Sequence, residues 1–571
     1  MIPQLLLGLT VAYAIWSLIC MEINVRRART IGIPLVRMPV DPMNVLWLVL
    51  EPPLFRLLDR LPFSYGTFGR YSRRGWHFHD KAWSHAEYGP AWAIATPREI
   101  FMYIGDPDAI NEIFARRADF LRPTQLYKML DVYGPSVSTA GASDWPRQRK
   151  IVAAPFNENT NKLVWSESLS QAKDMLLSWA SCGESGSYGA AKDTRTLSLD
   201  VLAMTGFRKS YKFRSSTEPA LDETLDYRDS LKTVLDNAIL LMVAPAKVLS
   251  FPMMPRSWAR IGDATTNFRQ YMMDMLEEET SRLSQGIPGT GSLMTSFVRA
   301  LEDRNGKELH IKSDAAGPIQ KGLTIDEILG NIFVINFAGH DTTANTLSFG
   351  MLLLAIHPAV QEWVAEELQE ILKDTSAETW DYDILYPQLK RCQAVLLETL
   401  RLFPPILALP KWTNRYPQTL KVGDRMLSIP ARTAVLPSLL AMQTLPPYWQ
   451  DPLVWQPSRW IKSSTTSTDG SSTTDLTAQV EHEEVVVPQK GTYFPWSDGP
   501  QSCPGKKFAQ VEFVAVIACL LRDHRVRVVP QEGEDFEKTK ERISAVLEDC
   551  DLGLLLRMRD ADSVKLAWER V

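Results

Sequence analysis

The feature that most constrains the fold is a long apolar helical pattern, which runs from Ile325 to Ile356. Thr324 and Glu327 stand three residues apart at its start and predict a capping box, and Pro358 follows its end. At 1.5 Å per residue such a helix is about 48 Å long, which is enough to cross a large domain. The pattern therefore predicts one helix that spans the body of the protein.

The middle of this helix carries a polar interruption, Ala338-Gly-His-Asp-Thr-Thr343. A glycine and a polar cluster are costly within an apolar helix unless they have a use. The threonine hydroxyls could instead bond back to carbonyls of their own helix. The residues alone leave both interpretations open.

A single cysteine, Cys503, stands between Gly499 and Gly505 in a turn-rich loop that leads into an apolar helical pattern ending at Leu521. Glycines can take backbone angles closed to other residues, so we expect the loop to curl around the sulfur. The positive end of the following helix favours thiolate over thiol. A cysteine presented in this way is predicted to be a metal ligand or a nucleophile.

Four interpretations of Cys503 are weighed against the residues around it. A nucleophile needs a base, and no histidine follows nearby in the sequence. Zinc is disfavoured because no second cysteine or histidine stands at ligand spacing. A lone thiolate suffices as the fifth ligand of haem iron, since the porphyrin supplies the other four. A buried structural cysteine fits the loop alone about as well.

Composition sets broad limits on the protein. The chain of 571 residues could form one large domain or several, and its 45% hydrophobic content supports a real core. A net charge of −5 argues against nucleic acid as a partner. Six scattered cysteines indicate a reducing compartment rather than a disulfide framework. No Walker loop or GxGxxG motif after a strand is present, so no nucleotide or flavin domain is expected.

The N-terminal residues 1–21 are predicted to be an uncleaved transmembrane anchor, because an apolar run from Ile2 to Met21 can cross about 30 Å of hydrocarbon. Arg26, Arg27 and Arg29 follow and place the rest of the chain on the cytosolic side. Residues 22–60 are interpreted as a membrane-proximal linker. Within it, the apolar stretch 45–55, broken by two prolines, fits the membrane surface or ordinary core packing equally.

Two further segments are predicted from their composition. Residues 463–489 are rich in Ser and Thr, then acidic, and are expected to be a disordered insertion. The apolar break at residues 244–256 fits either a membrane-touching lid over a substrate entrance or a packed loop.

Residues 76–85, with His77 and His79, are expected to form a surface helix. The alternating segments Ala91–Ala95 and Ile100–Ile104 predict a β-hairpin.

Two spaced pairs suggest buried polar sites. Trp145 and Arg149 lie four residues apart on one predicted helix face, and both donate hydrogen bonds, which suits an anionic group such as a carboxylate. Glu398 and Arg401 lie three apart in an apolar helix and are expected to form a buried pair, which needs further partners to be tolerated. Arg459 is a candidate third member.

Taken in order, these motifs resemble the cytochrome P450 family of haem-thiolate monooxygenases, in its membrane-anchored fungal form, from about Leu61 to Leu556. The resemblance implies a mainly α fold with small β regions and one catalytic domain over residues 61–571. It implies haem b with Cys503 as the axial metal ligand. It also implies roles for the other motif residues: haem binding by Trp145, Arg149, Lys411, Gly339, Gly499 and Gly505, and a structural cluster of Glu398, Arg401 and Arg459.

The family resemblance further implies how the reaction is supported. Thr342 is expected to hydrogen-bond dioxygen, and Asp341 to relay protons. Electrons would come from a separate NADPH reductase at the endoplasmic reticulum membrane, with the catalytic domain in the cytosol. The substrate would be a lipophilic molecule such as a terpenoid, polyketide, alkaloid or fatty acid. Arg147, Arg149, Lys150, Lys506 and Lys507 fit a basic patch for the reductase and a merely solvated helix face equally well.

Two residues depart from the family pattern. Gln501 stands where an Arg or His usually binds a haem propionate, and Lys411 replaces a second propionate arginine. A haem-thiolate isomerase or dehydratase that needs no oxygen, and a haem sensor without turnover, are the alternative functions. The Asp341–Thr342 pair favours the monooxygenase over both.

Overall fold

The computed structural model describes the chain outside residues 1, 43, 64, 217–226, 238–239, 242–243, 245, 252, 288–290, 309–320, 374–379, 464–479 and 553–554. The predicted architecture, mainly α with small β regions, is confirmed. Residues 464–479, the larger part of the predicted 463–489 insertion, lie outside the described residues.

Helices make up most of the molecule. They are α1 Ile2–Arg29, α2 Val45–Leu58, α3 Gly66–Tyr71, α4 Trp76–Asp80, α5 Trp83–Tyr88, α6 Pro107–Ala115, α7 Thr124–Tyr127, α8 Trp145–Ala153, α9 Glu158–Ala180, α10 Ala190–Phe207, α11 Tyr227–Asp236, α12 Ala246–Leu249, α13 Arg256–Ser284, α14 Leu293–Glu308, α15 Ile325–Ile356, α16 Pro358–Leu372, α17 Tyr382–Leu385, α18 Lys390–Leu402, α19 Leu439–Met442, α20 Lys506–Leu521 and α21 Phe536–Glu548.

The strands are short and form small sheets. They are β1 Leu35–Arg37, β2 Ala91–Ala95, β3 Ile100–Ile104, β4 Lys411–Trp412, β5 Gln418–Val422, β6 Arg425–Ile429, β7 Thr433–Pro437, β8 Ile461–Ser463, β9 Glu483–Val485, β10 His524–Val528, β11 Cys550–Leu552, β12 Leu556–Met558 and β13 Leu566–Arg570. One sheet has the order β1-β2-β3-β7-β4, and the other strands pair two by two.

The central helix α15 has the predicted bounds and the predicted cap. The Glu327 backbone N–H donates to Thr324 Oγ1 over 3.0 Å, and the Thr324 N–H donates to Glu327 Oε2 over 2.9 Å. The helix packs against α10, α18 and α20, and most of its side chains are buried. Because α15 contacts helices from three distant parts of the chain, it fixes the positions of the elements that carry the site.

The predicted hairpin is confirmed, with Ala91 opposite Ile104 and Ala95 opposite Ile100. Strand β7 then joins β3 in parallel, with Ile100 beside Thr433. Parallel pairing places the starts of both strands at one edge of the sheet. The hairpin turn and the residues before β7 are therefore neighbours, although more than three hundred residues separate them.

The N-terminal helix is longer than the predicted anchor. It continues past Met21 to Arg29, and residues 8–29 are long and apolar enough to cross a membrane. Its last turns are buried against the sheet through Val25 and Ala28, and Asn24 Nδ2 donates to Thr96 O over 2.9 Å. The end of the helix therefore packs against the sheet.

Two expectations for the following residues were wrong. The two prolines do not break the apolar stretch, because α2 runs through Pro52 and Pro53. Residues 76–85 are not one surface helix but parts of two short helices with buried side chains, including His85, whose Nε2 lies 2.8 Å from Ser438 Oγ. Burial lowers the pKa of both His77 and His85 to about 4, so both rings are neutral at physiological pH.

The end of the predicted disordered insertion is ordered. Strand β9 pairs with β8, and Glu483 is buried against Arg391 of α18, whose Nη2 donates to Glu483 Oε1 over 2.8 Å. Arg391 also donates to the Trp363 carbonyl over 2.6 Å. A single buried carboxylate in a polar stretch leaves no periodic pattern, so composition alone did not predict this ordered strand.

Replacing Glu483 with Ala is expected to lower the free energy of unfolding by about 3 kcal/mol, because the guanidinium of Arg391 then stays buried without its main counterion. The measurement is the urea midpoint of the purified protein. Glu484→Ala is the matched control, since this neighbour in β9 is exposed. Equal midpoints for the two variants would contradict a stabilising role for the buried pair.

Candidate active site

The cysteine loop is held by short backbone hydrogen bonds. The Cys503 N–H donates to Trp496 O over 2.9 Å, and the Ser502 N–H donates to Gly499 O over 3.0 Å. Gly499 has φ +66°, and a Cβ there would lie 2.9 Å from Phe114 O, so only glycine fits. Gly505 has φ −85°, an angle open to any residue, and the expectation of a special backbone angle there was wrong.

The thiol of Cys503 sits at the N-terminal end of α20. The Gly505 N–H bonds to the sulfur and, with the charges of Arg149 and Lys506, acts to lower the thiol pKa. The thiol itself is exposed, yet the protein atoms packed around it disfavour the charged form more strongly than these groups favour it, and the net pKa is raised. The sequence argument from the helix dipole was therefore incomplete, because it left out desolvation. A metal that binds this sulfur must displace its proton.

The middle of α15 has one open face. Ala338 is exposed and Gly339 and Thr342 are partly exposed, whereas Asn336 and Thr343 on either side are buried. Thr342 Oγ1 donates to Ala338 O over 2.7 Å, which is the back-bonding that the sequence left open. A Cβ on Gly339 would lie 3.2 Å from Leu202 Cδ2, so a side chain there would crowd α10.

Asp341 is buried rather than on this open face. Its carboxylate bonds to Arg557 of β12 and lies 3.3 Å from Arg195 Nε of α10, and His340 Nε2 is 3.6 Å away. Burial lowers the pKa of His340, so its ring is neutral at physiological pH. Sequence reasoning missed both arginines. They lie more than a hundred residues from Asp341 on opposite sides of it, and no spacing motif connects them.

Three cations cluster beside the cysteine loop: Arg149, Lys411 and Arg122. Lys411 Nζ donates to Gln501 Oε1 over 2.6 Å, and Arg149 interacts with Cys503. Burial and the charge of Arg122 lower the pKa of Lys411 to about 8. Within the described part of the chain, none of the three is paired with a carboxylate. Such a group is stabilised by an anionic ligand.

Two further features complete this cationic group. Trp145 is buried on α8 one turn from Arg149, and Arg117 lies 5.1 Å over its ring. Arg122 was missed by the sequence analysis, because it lies in an irregular segment without a motif. Gln501, which stands where the family usually has an Arg or His, accepts a hydrogen bond from Lys411. A cation therefore lies beside this position, although Gln501 itself is neutral.

The structure brings together the predicted Glu-Arg-Arg cluster. Arg401 makes two bonds of 2.8 Å to the Glu398 carboxylate, and Arg459 Nε adds one of 3.0 Å. Trp460 Nε1 and the Gln456 N–H also donate to Glu398. The remaining guanidinium protons of Arg401 go to carbonyls at 2.6–3.0 Å. The buried pair is thus satisfied by further partners, as it must be.

The predicted basic patch is smaller than expected. Arg147 points inward and forms an ion pair with Glu327, the carboxylate of the capping box of α15. This ion pair neutralises the charge of Arg147. Lys507 lies 3.8 Å over the ring of Tyr386 and is half-buried. Lys150 and Lys506 remain exposed, and Lys506 Nζ lies 5.4 Å from the centre of the Trp496 ring.

A family model described as Cytochrome P450 matches residues 60–549. The chain belongs to the cytochrome P450 family. A cytochrome P450 monooxygenase of Arthrobotrys oligospora is 27% identical over 99% of this chain and 98% of its own length. The phomenoic acid biosynthesis cluster cytochrome P450 monooxygenase of Leptosphaeria maculans is 28% identical over 94% of both chains.

Solved structures show the same fold at lower identity. The haem domain of cytochrome P450DA superposes with a TM-score of 0.63 at 17% identity, covering 90% of this chain and 96% of that one. The family model and the named relatives show that the protein is a cytochrome P450 monooxygenase, and this family implies a haem held by a cysteine thiolate. The described residues fit such a group, since a loop cysteine at a helix N-terminus lies beside unpaired cations that suit its carboxylates.

Arg149→Ala is expected to release haem about tenfold faster than the native protein, because one charge-assisted bond to a carboxylate is lost and Gln501 supplies no charge to replace it. The measurement is the rate of haem transfer to apomyoglobin. Lys150→Ala is the matched control on the same helix, since this side chain is exposed. Unchanged haem transfer in Arg149→Ala would show that Arg149 does not hold the haem.

Proposed function

We propose that this enzyme inserts one oxygen atom from O2 into a lipophilic small molecule of fungal secondary metabolism, with electrons from a separate NADPH reductase. The observation that carries the proposal is the Cys503 loop at the start of α20 beside the unpaired cations Arg122, Arg149 and Lys411. The name of the Leptosphaeria maculans relative, which belongs to a biosynthetic cluster, supports the metabolic setting.

In this proposal Cys503 would hold haem b through its sulfur, as thiolate. When bound, the haem supplies the oxygen activation that no side chain can perform. Trp145, Arg149, Arg122 and Lys411 hold its carboxylates through charge-assisted bonds. The Glu398 cluster keeps the segment before the cysteine loop in place.

Proton delivery is assigned to Thr342 and Asp341. Thr342 lies on the open face of α15, and its hydroxyl can turn from Ala338 O to hold dioxygen in the pocket. The carboxylate of Asp341 is held by Arg195 and Arg557, so it must exchange one ion pair for water before it can pass a proton to Thr342. Proton supply through Asp341 and Thr342 therefore depends on a small movement of Arg195 or Arg557 away from the Asp341 carboxylate.

The membrane supplies both the location and the route of the substrate. We place the part of α1 before its packed last turns in the endoplasmic reticulum membrane as a single span, with the catalytic domain in the cytosol. Phe251 and Met253 are exposed in the apolar break before α13, while Leu249 is buried, so this segment combines a packed side with a membrane-touching side. Exposed apolar side chains of this kind favour contact with lipid.

Electron transfer needs a docking face for an acidic partner near the cysteine loop. Lys150 and Lys506 are exposed there and provide positive charge that can steer such a partner. A requirement for NADPH and a reductase separates this function from the isomerase, dehydratase and sensor alternatives, because none of those consumes electrons.

Cys503→Ser is expected to abolish the thiolate-type absorbance band of the reduced protein under carbon monoxide, together with turnover, because oxygen replaces the only proposed sulfur ligand. The measurement is a difference spectrum on protein made with ample haem. Cys182→Ser serves as the control, since this cysteine is exposed and free. Retention of the band in Cys503→Ser would refute the assignment.

Thr342→Ala is expected to keep consuming oxygen and NADPH but to release much of that oxygen as hydrogen peroxide, because the hydroxyl that holds dioxygen is lost. The measurement is the ratio of product to NADPH consumed with the reductase present. Thr343→Ala is the matched control, because Thr343 makes the same back-bond to its helix yet is buried. Full coupling in Thr342→Ala would exclude the proposed role.

A further inference from the structure

His340 is a buried histidine in the polar stretch of α15, and its surroundings fix which ring nitrogen carries the proton. Nδ1 lies 3.0 Å from Asn336 O, one turn earlier in the helix. A carbonyl oxygen only accepts hydrogen bonds, so Nδ1 must carry the ring proton and donate it. Burial lowers the pKa of His340, so the ring is neutral at physiological pH and Nε2 carries no proton.

This unprotonated Nε2 faces the carboxylate of Asp341. It lies 3.6 Å from Oδ1, which is too far for a hydrogen bond. Arg557 bonds to the other oxygen, Oδ2, whereas Oδ1 is buried and accepts no hydrogen bond from any residue that the structure describes. Arg195 Nε comes within 3.3 Å of Oδ1 without forming a hydrogen bond to it. Two proton acceptors therefore face each other inside the protein.

One proton would convert this contact into a bond. If Nε2 gains a proton, it becomes a donor, and a shift of about 0.8 Å shortens the 3.6 Å contact with Oδ1 to a charge-assisted hydrogen bond of about 2.8 Å. Without that proton the two lone pairs repel each other, which is costly in a buried site. Because the pKa of His340 is lowered, the charged ring releases its proton readily.

The charges around the ring control when it holds a proton. Burial has the largest influence and lowers the pKa of His340, and the charge of Arg557 from β12 lowers it further. Asp341 and Asp236, the exposed last residue of α11, act in the opposite direction. Arg195 of α10 lies against the same carboxylate. The side chain of Arg557 is 35% exposed and brings the cluster close to bulk water.

We propose that His340 supplies the protons that Asp341 passes to Thr342. A proton from water binds Nε2 of His340, the Nε2–H group gives it to Oδ1 of Asp341, and the ring returns to its neutral form. Each cycle takes up one proton and releases one, and no electrons move. The inference rests on the proposed function and adds a residue to its proton route. Because His340 acts through Asp341, it is a positioning residue for the proton rather than a catalytic residue.

His340→Asn tests this role, because the asparagine amide can still donate to Asn336 O but cannot carry an extra proton. The full-length, haem-loaded protein is supplied with reductase, NADPH and oxygen, without added substrate, since reduction of oxygen to peroxide or water consumes protons. NADPH consumption is expected to slow about tenfold, because a proton carrier is lost. The solvent deuterium isotope effect is expected to rise, since proton transfer then limits the rate.

The pH profile separates a proton carrier from a histidine that only packs. Above the pKa of His340 the charged share of the ring falls about tenfold per pH unit, so the native rate is expected to fall between about pH 6.5 and 8.5. The profile of His340→Asn is expected to be flatter. His357→Asn is the matched control, since His357 Nδ1 makes the same bond to Leu353 O over 2.8 Å, and Lys540 rather than a carboxylate acts on its pKa.

A second measurement does not depend on turnover. Nitrogen-15 NMR of histidine-labelled protein, as the reduced carbon monoxide complex, reports which ring nitrogen carries the proton. The signals of His340 are those missing from His340→Asn. A neutral ring with its proton on Nδ1 is expected at about pH 7.5. A neutral ring with its proton on Nε2, or a ring that is charged at this pH, would overturn the inference.

The relay and the proposed function fail in different ways. A native protein that consumes no NADPH with the reductase rejects the proposed function itself. Native rates, isotope effect and pH profile in His340→Asn, with a normal carbon monoxide band, reject only the relay through His340. If His340→Asn loses that band, His340→Gln takes its place in every measurement, because its amide reaches the Nε2 position and cannot carry an extra proton.

Discussion

Positive charge buried without an internal counterion is the constraint on which the site depends. Desolvating a guanidinium or ammonium costs several kcal/mol, and a protein offsets this cost with a carboxylate or with a ligand. At Glu398 and at Asp341 the chain supplies the carboxylate itself. Beside Cys503 the described residues supply cations without a carboxylate partner. The lowered pKa of Lys411 shows that burial and the charge of Arg122 disfavour its charged form. An anionic group bound beside these cations would offset that cost.

The two sides of α15 differ in whether their polar groups are paired within the protein or face open space. One side is closed by ion pairs that link Asp341 to α10 and β12, so the helix is held firmly against the core. The other side, at Ala338 and Thr342, is open. A polar cluster within an apolar helix is tolerated here because each buried charge has a partner and each exposed group faces open space. The free-energy cost of placing this polar cluster within an apolar helix is therefore offset by contacts with residues that are distant in the sequence.

Local signals made much of the fold predictable. The bounds of α15, its capping box and the β2–β3 hairpin follow from spacings of a few residues, and the structure agrees with them. Spacing also placed Trp145 with Arg149 and Glu398 with Arg401. The sequence could not reveal Arg557 beside Asp341, Glu483 beside Arg391 or Arg122 beside Lys411, because those contacts join distant segments. The sign of the thiol pKa was missed for a related reason, since burial is a property of the whole fold.

The pairing of β8 with β9 has a consequence for evolution. It pairs Ser463 with Glu483, the residues on either side of 464–482, and the ion pair of Glu483 with Arg391 fixes one of those flanking positions to the core. Once the ends of a segment are fixed, doubling its length costs only about 0.6 kcal/mol of chain entropy. This part of the gene can therefore gain or lose codons with little penalty to folding, and related enzymes are free to differ in size there.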